Sequence, residues 1–243
     1  MGGEGTEAVI VIPTYNEKDN LRPLVEEILR LPRRLRIVIV DDNSPDGTGQ
    51  VADELAAQMA EVQVIHRSGK GGRGSACLAG FRYALQETEA PLILEMDADF
   101  SHHPRYIPEL LDKARQADVV IGSRYLRDSR IVDWGLRRRI FSRLANLFAR
   151  TMLGVPIADY TNGFRCYRRE VLEALDLDSI QTTGYIVLSE TALRLHKAGA
   201  RFAEIPTVFV NRKRGQSNTT LSEIVDAFAA VWRLRRRYAR AQR

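Results

Sequence analysis

Short apolar segments alternate with longer segments of helical periodicity through the first half of the chain. The apolar segments are Ala8–Ile12, Arg36–Val40, Val62–Ile65, Pro91–Met96 and Asp118–Ile121. The intervening segments have the apolar spacing of helices with one buried face, namely Asn16–Arg30, Asn43–Met59, Ser75–Gln86 and Arg105–Arg115. This alternation predicts an α/β fold with a mixed, largely parallel sheet and helices on both faces. Ligands of such a sheet bind beyond the carboxyl ends of its strands.

The second half of the chain has a different pattern. Gly135–Leu153 and Leu221–Arg240 each combine an apolar stripe with several arginines and are predicted to be long amphipathic helices. A further helix is predicted over Thr183–Lys197, and Phe202–Val210 is predicted to contain one or two short strands. No apolar run approaches the roughly 20 residues that span a bilayer, so no transmembrane domain is expected.

The net charge of +5 is concentrated in two segments. Residues 121–150 carry a formal charge of +6, and residues 233–243 carry another +6. Such local basicity suggests anionic partners, among them lipid headgroups, phosphates and nucleic acid. Nucleic acid is not expected, because the chain has no helix-turn-helix, zinc or RNA-binding aromatic signature. The two cysteines, Cys77 and Cys166, form no disulfide framework or metal spacing, which favours a reducing compartment.

Two carboxylates, Asp97 and Asp99, follow the fourth apolar segment. Residues two apart in extended chain point the same way, so these side chains are expected to converge. Like charges at that separation repel unless a cation lies between them, and Mg²⁺ and Mn²⁺ prefer oxygen ligands. On this spacing alone a solvated acidic turn is the favoured interpretation, and the motifs at the other strand ends reverse that preference in favour of a divalent metal site.

Polar and aromatic residues also follow the first two strand segments. Pro13 is expected to stop strand pairing, and Tyr15 has an aromatic face on which a base could stack. Asp42 could bind a ribose or a base edge. The alternative is that Asn16 and residues 43–46 are only helix caps and turn residues.

The glycines at 69–74 match the pattern G-x-G-x-x-G, and Glu95 lies about 21 residues beyond them. A dinucleotide-dependent oxidoreductase is therefore an alternative function. That fingerprint belongs on the first strand–helix turn, with a single acid ending the next strand. Here Asp97 and Asp99 follow the strand, which fits a metal site better.

Taken together, these strand ends resemble family 2 glycosyltransferases of the GT-A fold, and within them the dolichol-phosphate (polyprenol-phosphate) mannose synthases. The family resemblance rests on Pro13-Thr14-Tyr15-Asn16-Glu17, Asp41-Asp42-Asn43-Ser44, Lys70-x-Gly72-x-Gly74 and Asp97-Ala98-Asp99. The closer resemblance rests on Ser101-His102-His103-Pro104, Gly122-Ser123-Arg124-Tyr125, Trp134-x-Leu136-Arg137-Arg138-Arg139, Ser142-Arg143 and Asp159-x-Thr161-Asn162-Gly163-Phe164-Arg165.

This resemblance implies a site for a nucleotide sugar, GDP-mannose in the first place. The implied nucleotide-sugar residues are Pro13, Tyr15, Glu17, Val40, Asp42, Lys70, Asp97, Ala98, Asp99, Arg124 and Arg212. Mg²⁺ or Mn²⁺ would be held by Asp97, Asp99 and Ser101. The lipid phosphate would meet Arg124, Arg138 and Ser142. The implied catalytic residues are Asp99, Arg124, Arg138 and Arg212.

A phosphate acceptor changes what the chemistry requires. A phosphate monoester is largely dianionic at neutral pH, so it needs positioning by arginine and no general base. We therefore expect inversion at the anomeric carbon and a β-linked product. If a base exists, Asp99 and Glu190 are the candidates, and for Glu190 a structural role is the favoured alternative.

We expect one catalytic domain over residues 1–243, with a nucleotide-binding half at about 8–122 and an acceptor and membrane half at 123–243. The amphipathic helices predict peripheral attachment at the cytoplasmic face of a membrane, with a separate membrane-anchor protein as a candidate partner. Asn218 stands where the family usually has lysine, and Lys213 or Arg214 could compensate. The sequence leaves open UDP-glucose or another donor, a soluble hydroxyl acceptor, and a non-catalytic basic membrane-binding module.

Overall fold

The computed structural model describes residues 5–180, 182, 184, 186–211 and 221–240. Seven strands form one sheet in the order β3-β2-β1-β4-β7-β5-β8. They are β1 (Ala8–Thr14), β2 (Leu35–Asp41), β3 (Val62–His66), β4 (Leu92–Glu95), β5 (Val119–Ser123), β7 (Arg165–Arg168) and β8 (Phe202–Pro206). Only β7 runs antiparallel to its neighbours, β4 and β5. A separate parallel pair is formed by β6 (Arg130–Val132) and β9 (Val208–Val210).

Helices cover both faces of this sheet. The first four are α1 (Lys18–Leu29), α2 (Thr48–Gln58), α3 (Arg73–Glu87) and α4 (Ile107–Lys113). The others are α5 (Leu136–Leu153), α6 (Arg169–Glu173), α7 (Ile186–Lys197) and α8 (Leu221–Arg240). No described helix is both long enough and apolar enough to cross a membrane.

Alternation along the central strand divides the buried residues into two clusters. Val9 and Val11 of β1 pack with α3, α5, α6, α7 and α8 on one face. Ile10 and Ile12 pack with α1, α2 and α4 on the other face. Successive side chains of a strand point to opposite faces of the sheet, so a continuously apolar strand contributes residues to both clusters. The sheet core is therefore built mainly from the segments that the sequence predicts to be strands.

The order of the strands reverses at β1, because β2 lies on one side of it and β4 lies on the other. All three run parallel, so their carboxyl ends open at the same edge of the sheet. A crevice at such a reversal is the usual ligand site of an open α/β sheet. The loops after β1, β2 and β4 are the loops that carry the predicted donor and metal residues.

The predicted α/β fold is confirmed, with several local corrections. Pairing in β1 continues through Pro13, which lies opposite Val40, so the expectation that Pro13 ends the ladder was wrong. Proline lacks only its own N–H and can still accept through its carbonyl. The second helix begins at Thr48 instead of Asn43. Strands β6 and β7 and helix α6 were not predicted from the sequence.

Candidate active site

The loop after β2 is held by the carboxylate of Asp41. Ser44 donates to Asp41 from its backbone N–H at 3.0 Å and from its hydroxyl at 2.6 Å. The hydroxyl of Thr14, at the end of β1, donates to the same carboxylate at 3.1 Å. Asn43 has a left-handed φ of 59°, which this short loop accommodates. Asp41 therefore fixes the crevice wall between β1 and β2.

Asp42 binds the glycine-rich loop. The backbone N–H groups of Gly71 and Gly72 donate to its carboxylate at 2.6–3.0 Å, and the guanidinium of Arg67 also pairs with it. The Asp42 side chain is 4% exposed. Backbone donors that would meet a pyrophosphate in a dinucleotide-binding loop are thus directed at Asp42 instead. The geometry argues against the oxidoreductase alternative and gives Asp42 a visible role in holding the loop.

The glycine-rich loop reaches the first strand end through Lys70. Its ammonium lies over the ring of Tyr15, 3.9 Å from the ring centroid, which is a cation–π contact. Glu17 directly precedes helix α1. Its backbone N–H donates to the hydroxyl of Thr48, the first residue of α2, at 2.9 Å. The structure therefore brings Tyr15, Glu17 and Lys70 together at this edge of the sheet, where Pro13 also lies at the end of β1.

The side chain of Val40 is fully buried in the core. The whole residue, backbone included, exposes no surface to a nucleoside in this structure, so the predicted contact of Val40 stays a prediction. Ala98, also buried, packs against the α1–α2–α4 face of the sheet.

Asp97 and Asp99 lie in a bend that follows β4, because the strand ends at Glu95. Strand geometry therefore does not set the direction of these side chains, and their convergence stays a prediction. The bend is fixed locally: Phe100 has a φ of 60°, and the backbone N–H of Ser101 donates to Asp99 Oδ1 at 3.0 Å. This hydrogen bond places Asp99 at the start of a tight Asx-type turn.

The residues at this bend fit a hard divalent cation. Asp97 and Asp99 offer carboxylate oxygens, and the Oγ of Ser101 is buried without a hydrogen-bond partner among the described residues. Buried hydroxyls nearly always have a partner, so Ser101 is an orphaned oxygen beside two carboxylates. No group of three or more His, Cys, Asp or Glu residues clusters for a metal in the described parts of the chain. Two carboxylates with substrate phosphates are the usual ligands of Mg²⁺ in nucleotide enzymes.

The imidazole ring of His102 supports the same bend through hydrogen bonds. The backbone N–H of Asp97 donates to Nδ1 of His102 at 2.9 Å, so Nδ1 is an acceptor and the ring proton is on Nε2. Nε2 lies 2.6 Å from Oδ1 of Asn162, whose amide in turn donates to the carbonyl of Gly122. The ring of His102 also stacks on Phe164, with centroids 5.1 Å apart. These contacts join the bend at Asp97 and Asp99 to β5 and to the loop that precedes β7.

Arg124 follows β5 and forms a buried ion pair. Its Nε and Nη2 each lie 2.7 Å from a different oxygen of Asp159, and Nη2 also donates to Thr161 at 2.6 Å. Burial opposes ionisation of Asp159, but the charge and hydrogen bonds of Arg124 outweigh it and lower the pKa of Asp159. The expected phosphate-binding role of Arg124 stays a prediction, and the visible role of Arg124 is to hold the 159–162 loop.

Trp134 connects Arg124 with Arg138. The guanidinium of Arg138 stacks 4.0 Å from the centre of the Trp134 ring, and that of Arg124 lies 5.5 Å from it. Arg138 also donates to Asn211 at 3.1 Å. Ser142, one turn further along α5, lies 2.6 Å from the hydroxyl of Tyr125. The predicted acceptor residues Arg124, Arg138 and Ser142 are thus linked through aromatic side chains.

Glu190 has the structural contacts of a buried ion pair. Its carboxylate accepts from Arg194 at 2.7 Å and from the hydroxyl of Tyr238 at 3.2 Å. Burial opposes ionisation, but hydrogen bonds from Thr182 and Arg194 and the positive charge of Arg194 lower the pKa of Glu190. A low pKa and a fixed cation make Glu190 a poor proton acceptor, in line with the structural alternative.

Arg212 lies outside the described residues, as do Lys213, Arg214 and Asn218. Their predicted roles in the donor loop therefore stay predictions.

Several residues of the site had no role predicted from the sequence, among them Arg73, His102, Asp159 and Asn162. His102, Asp159 and Asn162 lie within the motifs of the resemblance, which was a signal that they matter, but nothing in their local sequence identified their partners. Arg73 carried no such signal, and Glu95 was predicted only as the acid of the oxidoreductase alternative.

Comparisons with known proteins agree with this geometry. A family model described as glycosyl transferase family 2 matches residues 9–176. The chain is 42% identical over 238 residues to the polyprenol monophosphomannose synthase of Mycolicibacterium smegmatis, covering 96% of this chain and 89% of that protein. It is 40% identical over 223 residues to the undecaprenyl-phosphate mannosyltransferase of Micrococcus luteus, covering 92% of this chain and 91% of that protein.

Two solved structures share the fold at lower identity. One is glucosyl-3-phosphoglycerate synthase from Mycobacterium tuberculosis with Mn²⁺, UDP and glucosyl-3-phosphoglycerate, at a TM-score of 0.64 and 20% identity over 95% of this chain and 78% of that chain. The other is mannosyl-3-phosphoglycerate synthase from Rubrobacter xylanophilus. Its TM-score is 0.66 and its sequence identity is 22%, over 98% of this chain and 75% of that chain. Because the family model spans most of the chain and both curated relatives align with more than nine-tenths of it, the chain belongs to glycosyl transferase family 2.

Proposed function

We propose that this enzyme transfers mannose from GDP-mannose to a polyprenyl phosphate, with inversion, and forms a β-linked polyprenyl monophosphate mannose. The observation that carries the proposal is the near full-length similarity to two proteins named for this type of transfer. Family membership excludes the oxidoreductase and the non-catalytic membrane-binding module as functions of the whole chain.

The donor site lies in the nucleotide-binding half, at about residues 8–122. Tyr15 and Glu17 would hold the nucleoside with Asp42, whose carboxylate fixes the glycine-rich loop. The contact between Lys70 and Tyr15 brings one positive charge to the donor side. A cation next to a nucleoside site favours a diphosphate, so we assign Lys70 to the donor.

Asp97, Asp99 and Ser101 would hold Mg²⁺ or Mn²⁺. When bound, the metal would neutralise charge that grows on the departing diphosphate. The supporting observation in this chain is the orphaned hydroxyl of Ser101 beside the two carboxylates. The related synthase from Mycobacterium tuberculosis was solved with Mn²⁺ and UDP. We assign the same class of metal to this chain, together with Arg212 as a donor-phosphate residue.

The acceptor would be positioned by Arg138, Ser142 and Arg124 in the half at 123–243. Because a phosphate monoester is already anionic near neutral pH, its oxygen can attack the anomeric carbon without losing a proton to the enzyme. Arginine suits this task, since its planar donors match phosphate oxygens. Glu190, tied to Arg194, is not assigned as a base.

The prenyl chain would approach along α5 at a membrane surface. Leu136, Leu144 and Leu147 are 72%, 54% and 59% exposed, and they lie on a helix that also carries Arg137, Arg139 and Arg143. Trp232 of α8 is also exposed, and the guanidinium of Arg236 lies over its ring, 4.5 Å from the centroid. Exposed apolar side chains among arginines fit an anionic lipid surface, such as the cytoplasmic face of a membrane. A separate membrane-anchor protein is a further candidate partner.

Thermal-shift titration tests the donor and the metal together. The protein would be titrated with GDP-mannose, UDP-glucose and NAD, each with and without Mn²⁺. We expect the largest stabilisation from GDP-mannose, and only when Mn²⁺ is present. Stabilisation by UDP-glucose alone would move the proposal to another donor, and stabilisation by NAD that ignores the metal would overturn it.

A further inference from the structure

Arg73, in the first turn of α3, connects three segments that meet at the end of β4. Its Nε donates to Asp97 Oδ1 at 2.6 Å, and its Nη1 donates to Glu95 Oε2 at 3.0 Å. Its Nη2 donates to the carbonyl oxygen of Gly163 at 3.0 Å. The side chain of Arg73 is 13% exposed, so these contacts lie inside the protein and are weakly screened by solvent.

Glu95 anchors this arginine from the opposite side. The carboxylate of Glu95 is buried, and the hydroxyl of Tyr167 donates to it at 2.7 Å. Burial and the neighbouring Glu95 raise the pKa of Tyr167, so its hydroxyl keeps its proton and stays a donor. A hydrogen-bonded chain therefore runs from Tyr167 through Glu95 and Arg73 to Asp97. Its far end is one of the two carboxylates assigned to the metal.

Gly163 leaves the space that Arg73 occupies. A Cβ at position 163 would overlap Nη2 of Arg73, so any larger residue would displace the guanidinium. Gly163 belongs to the loop whose Asp159 pairs with Arg124 on the acceptor side. Arg73 thus joins the bend at Asp97 and Asp99 to the loop that carries Asp159 and Gly163.

We propose that Arg73 is a positioning residue that fixes Asp97 for the metal and the donor diphosphate. The inference rests on the proposed function, since it assumes that Asp97 holds the metal. A guanidinium has donors pointing in several fixed directions, and a lysine ammonium cannot reproduce that arrangement. Groups that orient metal ligands typically change metal affinity or activity by 10–100-fold when they are altered.

Two variants test the proposal by different routes. Arg73→Lys keeps the charge and removes the planar fork, whereas Gly163→Ala keeps the arginine and displaces it. The matched control is Arg82→Leu on the same helix, which removes an exposed ion pair with Asp178. For each protein we would measure the dissociation constant of GDP in the presence of Mn²⁺, the melting temperature, and kcat and KM for both substrates.

We expect both variants to bind GDP with Mn²⁺ roughly tenfold more weakly than the wild type. KM for GDP-mannose should rise in Arg73→Lys, while KM for the polyprenyl phosphate stays unchanged. The control should match the wild type in all of these values. Wild-type affinity for GDP with Mn²⁺ in both variants, with only a lower melting temperature, would overturn the proposal. A wild-type enzyme that binds GDP with Mn²⁺ but transfers no mannose would instead overturn the proposed function.

Discussion

Asp99 is the residue on which the proposed transfer depends most. Asp99→Asn should lower the rate of mannose transfer by at least about 100-fold, because the amide is a poor ligand for a hard cation. The fold should be retained, since the amide oxygen can still accept from the N–H of Ser101. Transfer assays and melting temperatures check both statements. Asp178→Asn, at an 83% exposed aspartate, is the control, and equal activity in the two variants would remove Asp99 from the site.

Arg138 is the acceptor residue with the clearest test. Arg138→Ala should raise KM for polyprenyl phosphate by roughly tenfold or more, the value of a charged hydrogen bond, and should leave KM for GDP-mannose unchanged. Steady-state kinetics with each substrate varied would measure this split. Arg115→Ala is the control, because Arg115 is a 73% exposed arginine that pairs with Asp112 and lies outside the proposed acceptor half. Unchanged acceptor KM in Arg138→Ala would mean that the acceptor site is misplaced.

Asp159 links stability to pH through Arg124. Its folded-state pKa lies below the ordinary value of 3.8, so the stabilisation is complete well above pH 3.8 and is lost as the pH falls through the folded pKa. Asp159→Asn should lower the free energy of unfolding by roughly 3 kcal/mol at pH 7, because Arg124 loses its buried partner. Urea unfolding of the wild type and of Asp159→Asn, from pH 7 down to the lowest pH at which both fold, measures the difference between their free energies of unfolding. This difference should shrink below about pH 4. A difference that does not change with pH would contradict the ion pair between Asp159 and Arg124 as its cause.

Residues of the site fall into two groups: those that are close to one another in sequence, and those whose partners are distant in sequence. Asp97, Asp99 and Ser101 are neighbours in sequence. Their spacing alone favoured a solvated turn, and the motifs at the other strand ends made a metal site the prediction. Asp159 pairs with Arg124 from 35 positions away, and Arg73 reaches Gly163 across 90 positions. No local pattern specifies such contacts, because they depend on which strands become adjacent in the sheet.

At the scale of elements, α5 combines a core-facing side with an exposed apolar side. Ala149 and Leu153 are buried, whereas Leu144 and Leu147 are exposed. The double variant Leu144→Glu, Leu147→Glu should therefore keep its melting temperature. It should bind anionic vesicles at least about tenfold more weakly, since each leucine loses roughly 1.5–3 kcal/mol of apolar burial. Vesicle co-sedimentation would measure the change.

The control for this helix adds the same charge elsewhere. Ala57→Glu with Gln58→Glu introduces two negative charges on exposed positions of α2. Because α2 lies on the opposite face of the sheet, we expect vesicle binding close to that of the wild type. Equal losses in both double variants would mean that net charge alone governs binding, and α5 would no longer be assigned to the membrane.

The strands and helices show which elements a sequence can predict. Strands β1 to β5 were all predicted, because each contains a continuous apolar or β-branched run. Strand β7, with the sequence Arg165-Cys166-Tyr167-Arg168, has no such run, and its central position depends on pairing with both β4 and β5. Arg165 is itself fully buried, where it donates to backbone carbonyls. Tertiary pairing overrides local propensity at such a segment.

Across the whole molecule, the sheet places the residues proposed for the donor and for the acceptor at one edge. Strands β1, β2 and β4 end at the residues proposed to bind the nucleotide and the metal, and β5 ends near Arg124, which Trp134 connects with Arg138 of α5. His102 and Asn162 connect the two groups. This arrangement supports a reaction in which the nucleotide sugar and the lipid phosphate meet between Arg138 and the bend at Asp97 and Asp99.

The most direct test is the transfer reaction itself. Purified protein would be incubated with GDP-mannose, Mn²⁺ and polyprenyl phosphate in vesicles, and the lipid product would be identified by mass and by its anomeric configuration. We predict a β-linked polyprenyl phosphate mannose that forms only with the metal and the phosphate acceptor. Transfer of glucose from UDP-glucose in place of mannose, transfer to a soluble hydroxyl acceptor, or an α-linked product would contradict the proposed function.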